Sequence, residues 1–145
     1  MSHLNLESKK GRIKLADGTV LSLKIAIADA RDAGFSPFGG VNIGVKPMGG
    51  IGVIEVPKEL CDEVADKPLM PGAPPEEGWE LVEIVEQEPA VEEQVVDTSK
   101  GKFLLRLEAE GVMAARNRKY KTLDGEPLYW LNWTWKVRWK PLKEG

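Results

Sequence analysis

Lys102-Phe-Leu-Leu-Arg-Leu-Glu-Ala-Glu-Gly111 and, further on, Tyr129-Trp-Leu-Asn-Trp-Thr-Trp-Lys-Val-Arg-Trp-Lys140 decide the fold class. Phe103, Leu105 and Leu107 alternate with Leu104, Arg106 and Glu108. Tyr129, Leu131, Trp133, Trp135, Val137 and Trp139 alternate with Trp130, Asn132, Thr134, Lys136, Arg138 and Lys140. A period of two marks half-buried strands, so this region reads as two long strands. Leu123-Asp124-Gly125 between them suits a three-residue loop that pairs Thr122 with Glu126.

That register predicts one face on which Ala115 meets Trp133, Met113 meets Trp135, Gly111 meets Val137 and Ala109 meets Trp139. Small residues oppose large ones there, as a packed core requires. On the opposite face it sets Glu110 against Arg138 and Glu108 against Lys140. Near the loop this second face carries Arg116, Arg118, Tyr120, Trp130 and Asn132, with Lys119, Lys121 and Tyr129 close by. Aromatic rings among guanidinium groups can stack on bases and contact phosphates. The competing structural reading has Trp130 covered by Arg118 in a cation-π pair or packed under a loop.

Toward the amino terminus, Ile13 and Leu15, then Leu21, Leu23, Ile25 and Ile27, alternate with polar residues. A two-residue Asp17-Gly18 loop would place Ile13 on the wrong face for Leu21 and Leu23. A three-residue Ala16-Asp17-Gly18 loop pairs Leu15 with Thr19 and Ile13 with Leu21, keeping the apolar set together. Gly39 to Gly52 holds six glycines in fourteen residues but no phosphate-loop spacing. It reads as two short strands, Val41 to Val45 and Ile51 to Val56, joined by Lys46 to Gly50, with Gly44 and Gly52 as bulges or close approaches.

Pro57 to Val64 reads as a short helix, with Pro in the first turn and acidic side chains at that end. Cys61 packs there as a small apolar residue. Asp66 to Gly78 contains Pro68, Pro71, Pro74 and Pro75 and reads as a loop or arm. Trp79 to Gln87 and Val91 to Asp97 are two further strands, the first also compatible with a helix.

The 145 residues, 42% hydrophobic and 30% charged, are one globular domain's worth of chain. The expectation is a single all-β domain over residues 1–145, with seven or eight mainly antiparallel strands in a sandwich or strongly curved barrel. One histidine, His3, and one cysteine, Cys61, argue against a His-based triad, a Cys/His pair or a zinc site. The carboxylate pairs Glu108/Glu110 and Asp29/Asp32 are weak acid-base candidates, the first facing cations and the second at a strand end. The reading is therefore a non-enzyme without cofactor or metal. No apolar run suggests a signal peptide or a membrane span, so the expectation is a cytoplasmic protein without a membrane partner. Scarce amides with abundant Glu and Lys resemble a heat-adapted composition.

The formal net charge of -3 conceals strong local fields. Met1 to Ile54 carries +3, Glu55 to Asp97 carries -12, and Thr98 to Gly145 carries +6. Neutralisation between neighbouring strands is the simplest account. A homo-oligomer in which the acidic Glu76 to Asp97 meets the basic carboxy-terminal third of a neighbour is the functional one. The leading expectation is thus an interaction or assembly module binding a protein or itself. The alternative is a single-stranded nucleic-acid binder using Arg116, Arg118, Tyr120, Trp130 and Asn132, which the acidic segment could gate.

Overall fold

The computed structural model describes residues 4–143, so His3 lies outside the described residues. The chain forms β1 (Ser8–Lys9), β2 (Gly11–Leu15), β3 (Val20–Asp32), β4 (Ile43–Glu55), α1 (Lys58–Glu63), β5 (Trp79–Val82), β6 (Ile84–Glu88), β7 (Ala90–Thr98), β8 (Gly101–Asn117) and β9 (Leu128–Pro141). All strand pairs between these elements are antiparallel. One sheet runs β4-β3-β2-β6; the other joins β1, β7, β8 and β5 in that order, with β9 on the other side of β8. The all-β expectation holds, with open sheets in place of a closed barrel.

Alternation buries one face of each sheet against the other. Ile13, Leu15, Leu21, Leu23 and Ile25 from the first sheet meet Leu107, Ala109, Ala114 and Leu131 from the second. A second cluster joins Val41 and Ile43 to Val96, Phe103 and Leu105. Burying each Val, Leu, Ile or Phe side chain of these clusters contributes about 1.5 to 3 kcal/mol.

The first hairpin follows the three-residue register: Ile13 is opposite Leu21, and the Leu15 N–H donates to the Thr19 carbonyl at 2.8 Å. Gly18 sits at φ 91°, a region L side chains rarely adopt. The helix and the irregular arm also lie where the sequence places them, with Leu60 buried.

Three expectations need correction. The glycine-rich stretch is one strand, β4, paired with β3 along its length. As an edge strand it tolerates Pro47, which has no N–H to donate. Its glycines admit neighbours: a Cβ on Gly49 would lie 3.0 Å from Trp133 and 3.1 Å from Trp135. The stretch Trp79 to Gln87 is two strands, because the chain changes sheet at Glu83; β5 pairs with β8, whereas β6 pairs with β2. It changes back at Pro89 to enter β7. The strand count is nine among the described residues.

The third correction concerns the carboxy-terminal register. The turn is as expected, with the Thr122 N–H donating to the Glu126 carbonyl at 2.8 Å. Beyond it, however, Arg118 to Tyr120 leave the ladder, and Lys121 pairs instead with the arm, bridging Leu69. The strands resume with Asn117 opposite Leu128 and Ala115 opposite Trp130. A bulge at Val112 then shifts the pairing, so Gly111 faces Trp133 and Ala109 faces Trp135. The core face of β8 up to Gly111 stays as expected, but each partner is displaced. Glu110 meets Lys136 at 2.6 Å, and Glu108 takes Arg106 at 2.6 Å and Arg138 at 3.6 Å.

Candidate functional site

The residues expected on one basic aromatic face divide between two. Beyond the Val112 bulge, Arg116 stands opposite Tyr129 and turns inward, whereas Trp130 opposite Ala115 turns outward. Asn132 is exposed on the same outer side, opposite Met113, and Tyr120 is half-buried in the bend after β8.

Arg116 and Arg118 come together around Glu80. The Arg116 Nε–H donates to Glu80 at 2.9 Å and its Nη1 donates to Asp17 at 3.0 Å. Arg118 donates to both Glu80 oxygens, at 2.6 and 3.2 Å, and to Glu63 at 2.8 Å. Hydrogen bonding from Arg118, then from Arg116, outweighs partial burial and holds the Glu80 carboxyl below its ordinary pKa. These charge-assisted bonds use two of the five N–H donors of Arg116 and three of the five of Arg118.

Beneath them lies a buried polar knot. Asp17 accepts from the Thr19 N–H at 2.8 Å, from Arg116, and from the Tyr129 hydroxyl at 3.0 Å. The phenol's one hydrogen goes to Asp17, so the fully buried Thr19 hydroxyl, 2.7 Å away, donates to Tyr129. Burial alone would raise the pKa of Asp17, but these donors more than offset it and the net shift is downward. Burial, above all, pushes the Tyr129 phenol up.

One corner of the outer face of the second sheet is apolar, beside the charged remainder of that face. Leu81 of β5, Ala115 of β8 and Trp130 of β9 occupy one cross-strand row, and Met113 lies two residues along β8 from Ala115. Leu81 is 80% exposed, Met113 53% and Trp130 54%. The Trp130 ring meets Trp79 edge to face at 5.6 Å between centroids. The Trp79 indole N–H donates to the Pro75 carbonyl at 2.7 Å, tying the arm to this corner. A cleft of about 350 Å³ opens there, lined by Met70, Pro74, Pro75, Trp79 and Trp130 and also by Ile51 and Trp133.

Sequence reasoning missed Leu81 and Met113. Met113 is turned outward by the extra residue at Val112, and nothing in the local pattern marks that bulge. Leu81 was legible only as an apolar position in a stretch whose secondary structure was open.

The acid-base candidates are all engaged. Glu108 and Glu110 meet cations; Asp29 pairs with Arg31 at 3.6 Å, and Asp32 accepts the Gly34 and Ser99 N–H groups. Among the described residues no group of three or more His, Cys, Asp or Glu could hold a metal ion. Burial, then Glu126 and Asp62, push the Cys61 thiol up, away from the reactive thiolate. Among the described residues no helix is long and apolar enough to cross a membrane. Compared with known proteins, the chain matches no family model, no curated protein and no solved structure.

Proposed function

We propose that this chain is a non-enzymatic assembly module of the cytoplasm that associates with itself through the outer face of its larger sheet. The observation that carries this reading is the cross-strand row of Leu81, the half-buried Ala115 and Trp130, with Leu81, Trp130 and the neighbouring Met113 exposed. Contiguous apolar side chains on a surface that alternation should make polar mark a contact surface. The free, half-buried Cys61 suits a reducing compartment.

Charge supports an apolar contact over an ionic one. Glu63, Glu80 and Glu93 of the acidic middle pair with Arg106, Arg116 and Arg118 of the basic third inside the same chain. Sedimentation of the whole protein from micromolar to 0.1 millimolar tests the reading. The mass exceeds the 16.0 kDa of one chain and falls in the Leu81→Lys, Met113→Lys double variant. A mass of one chain throughout, or a higher mass that the double variant leaves unchanged, overturns it.

Single-stranded nucleic acid is the second reading. It is favoured by Trp130 and Asn132 sharing the outer side of β9 with the exposed Lys136, Arg138 and Lys140. Salt-sensitive quenching of tryptophan fluorescence by an oligonucleotide, lost in Trp130→Ala, would put it first.

A further inference from the structure

Alone among the long strands, β9 is an uninterrupted open edge. Among the described residues it pairs with β8 and with no strand on its other side. The bulge that disturbs this ladder belongs to β8, so β9 itself runs from Leu128 to Lys140 without an extra residue or a proline. The other long edge, β4, is broken by Pro47, which cannot donate to a neighbour. An unpaired row of N–H and C=O groups of this length is a template for another strand.

The side chains of β9 specify which strand fits. Its outer face is polarised: Trp130 and Asn132 fill the first half, and Lys136, Arg138 and Lys140 the second. A parallel copy would set cation beside cation. An antiparallel copy about a two-fold axis at Thr134 instead sets Lys136 against Asn132, Arg138 against Trp130 and Lys140 against Leu128. On the inner side the same register sets Trp133 against Trp135. Because the register sum is even, every outward side chain meets an outward one. Thr134 is the midpoint of Leu128 to Lys140, so a centre on either side of it shortens the ladder, and centres from Lys136 onward also put like charges opposite each other. The apolar cleft opens beside the first half of β9, where the cationic second half of the incoming strand would lie.

We propose that a second copy of this chain adds to the open edge of β9, antiparallel about Thr134, and continues the larger sheet across a two-fold axis. This rests on the reading that the chain self-associates and locates a contact separate from the apolar outer face. The cations of β9 then act as a register device: they repel the wrong alignments and place the Arg138 guanidinium over Trp130 of the partner subunit.

Oxidative cross-linking of the full chain tests the register. In a Cys61→Ser background, Thr134→Cys puts two thiols on directly opposed positions, where Cβ atoms lie about 4.5 to 5.5 Å apart. Lys136→Cys separates them by four residues of strand, about 13 Å. The expected result is a disulfide-linked pair from Thr134→Cys and none from Lys136→Cys, with Thr134→Lys lowering the sedimenting mass. Thr134 is exposed, so these variants keep the fold, which circular dichroism checks. A mass above one chain with no Thr134→Cys cross-link, or with equal cross-linking at both positions, overturns the edge pairing and leaves self-association standing. One-chain mass with no cross-link at either position overturns both.

Discussion

Asp17 does more than its turn position implies. Its carboxylate, 7% exposed, gathers Thr19, Tyr129 and Arg116, joining the first hairpin to the end of β8 and the start of β9. Tyr129→Phe leaves the buried Thr19 hydroxyl without its acceptor and is expected to cost about 1 to 3 kcal/mol in urea unfolding. The pH dependence has a definite sign. Asp17, Glu80, Glu93 and Glu108 all have folded pKa values below their ordinary ones. Their stabilisation is therefore complete above the unfolded values and is lost as pH falls through the folded ones. The unfolding midpoint should stay level from about pH 7 to 5 and drop below about pH 4, with a shallower drop in Asp17→Asn. A midpoint that rises on acidification would contradict this assignment. From sequence, Asp17 was legible as a turn former because Gly18 follows it, whereas its guanidinium partner lies almost a hundred residues downstream.

At the level of elements, close approach joins the two sheets in two places. The backbone of β4 at Gly49 lies beneath Trp133 and Trp135, so Gly49→Val should cost about 1 to 3 kcal/mol through overpacking. Gly50 has open space above it, and Gly50→Ala should be neutral or slightly stabilising. Similar losses at both positions would refute the packing argument. The second place is Gln87, whose side-chain amide donates to the Gly111 carbonyl at 2.9 Å and accepts the Gly111 N–H at 2.8 Å. It mimics a strand neighbour just before the bulge and ties β6 of one sheet to β8 of the other. Gln87→Leu strands both backbone groups, and its thermal midpoint should fall by an amount equivalent to about 2 kcal/mol or more. The first hairpin was legible because one short loop satisfies both of its apolar sets. The last hairpin was legible in facing but not in register, since Arg118 to Tyr120 leave the ladder and Lys121 meets an arm far away in sequence. Gly49 in β4 reads as an interruption because the tryptophans that need its bare backbone, Trp133 and Trp135, come far later in the chain.

Across the whole molecule, charge segregation along the chain becomes charge mixing in space. The outermost ion pairs, such as those of Lys136 and Arg138, are exposed and contribute little singly. Raising sodium chloride from 0.05 to 0.5 M should accordingly change unfolding stability by less than about 1 kcal/mol. A larger loss would mean that the ionic contacts carry the fold. The segregation itself was legible from composition, and so was its neutralisation between strands. The apolar outer row was not, because it depends on three strands brought into one rank by a bulge and a change of sheet. That change of sheet reaches further. Since β5, β6 and β7 serve the two layers in turn, Arg12 waits for Glu88 across the helix and the whole arm before its sheet has both edges. Neither layer can be finished first. The chain should consequently acquire its native state late and all at once, in milliseconds to seconds as for other topologies dominated by distant pairings, with no half-built layer lingering on the way.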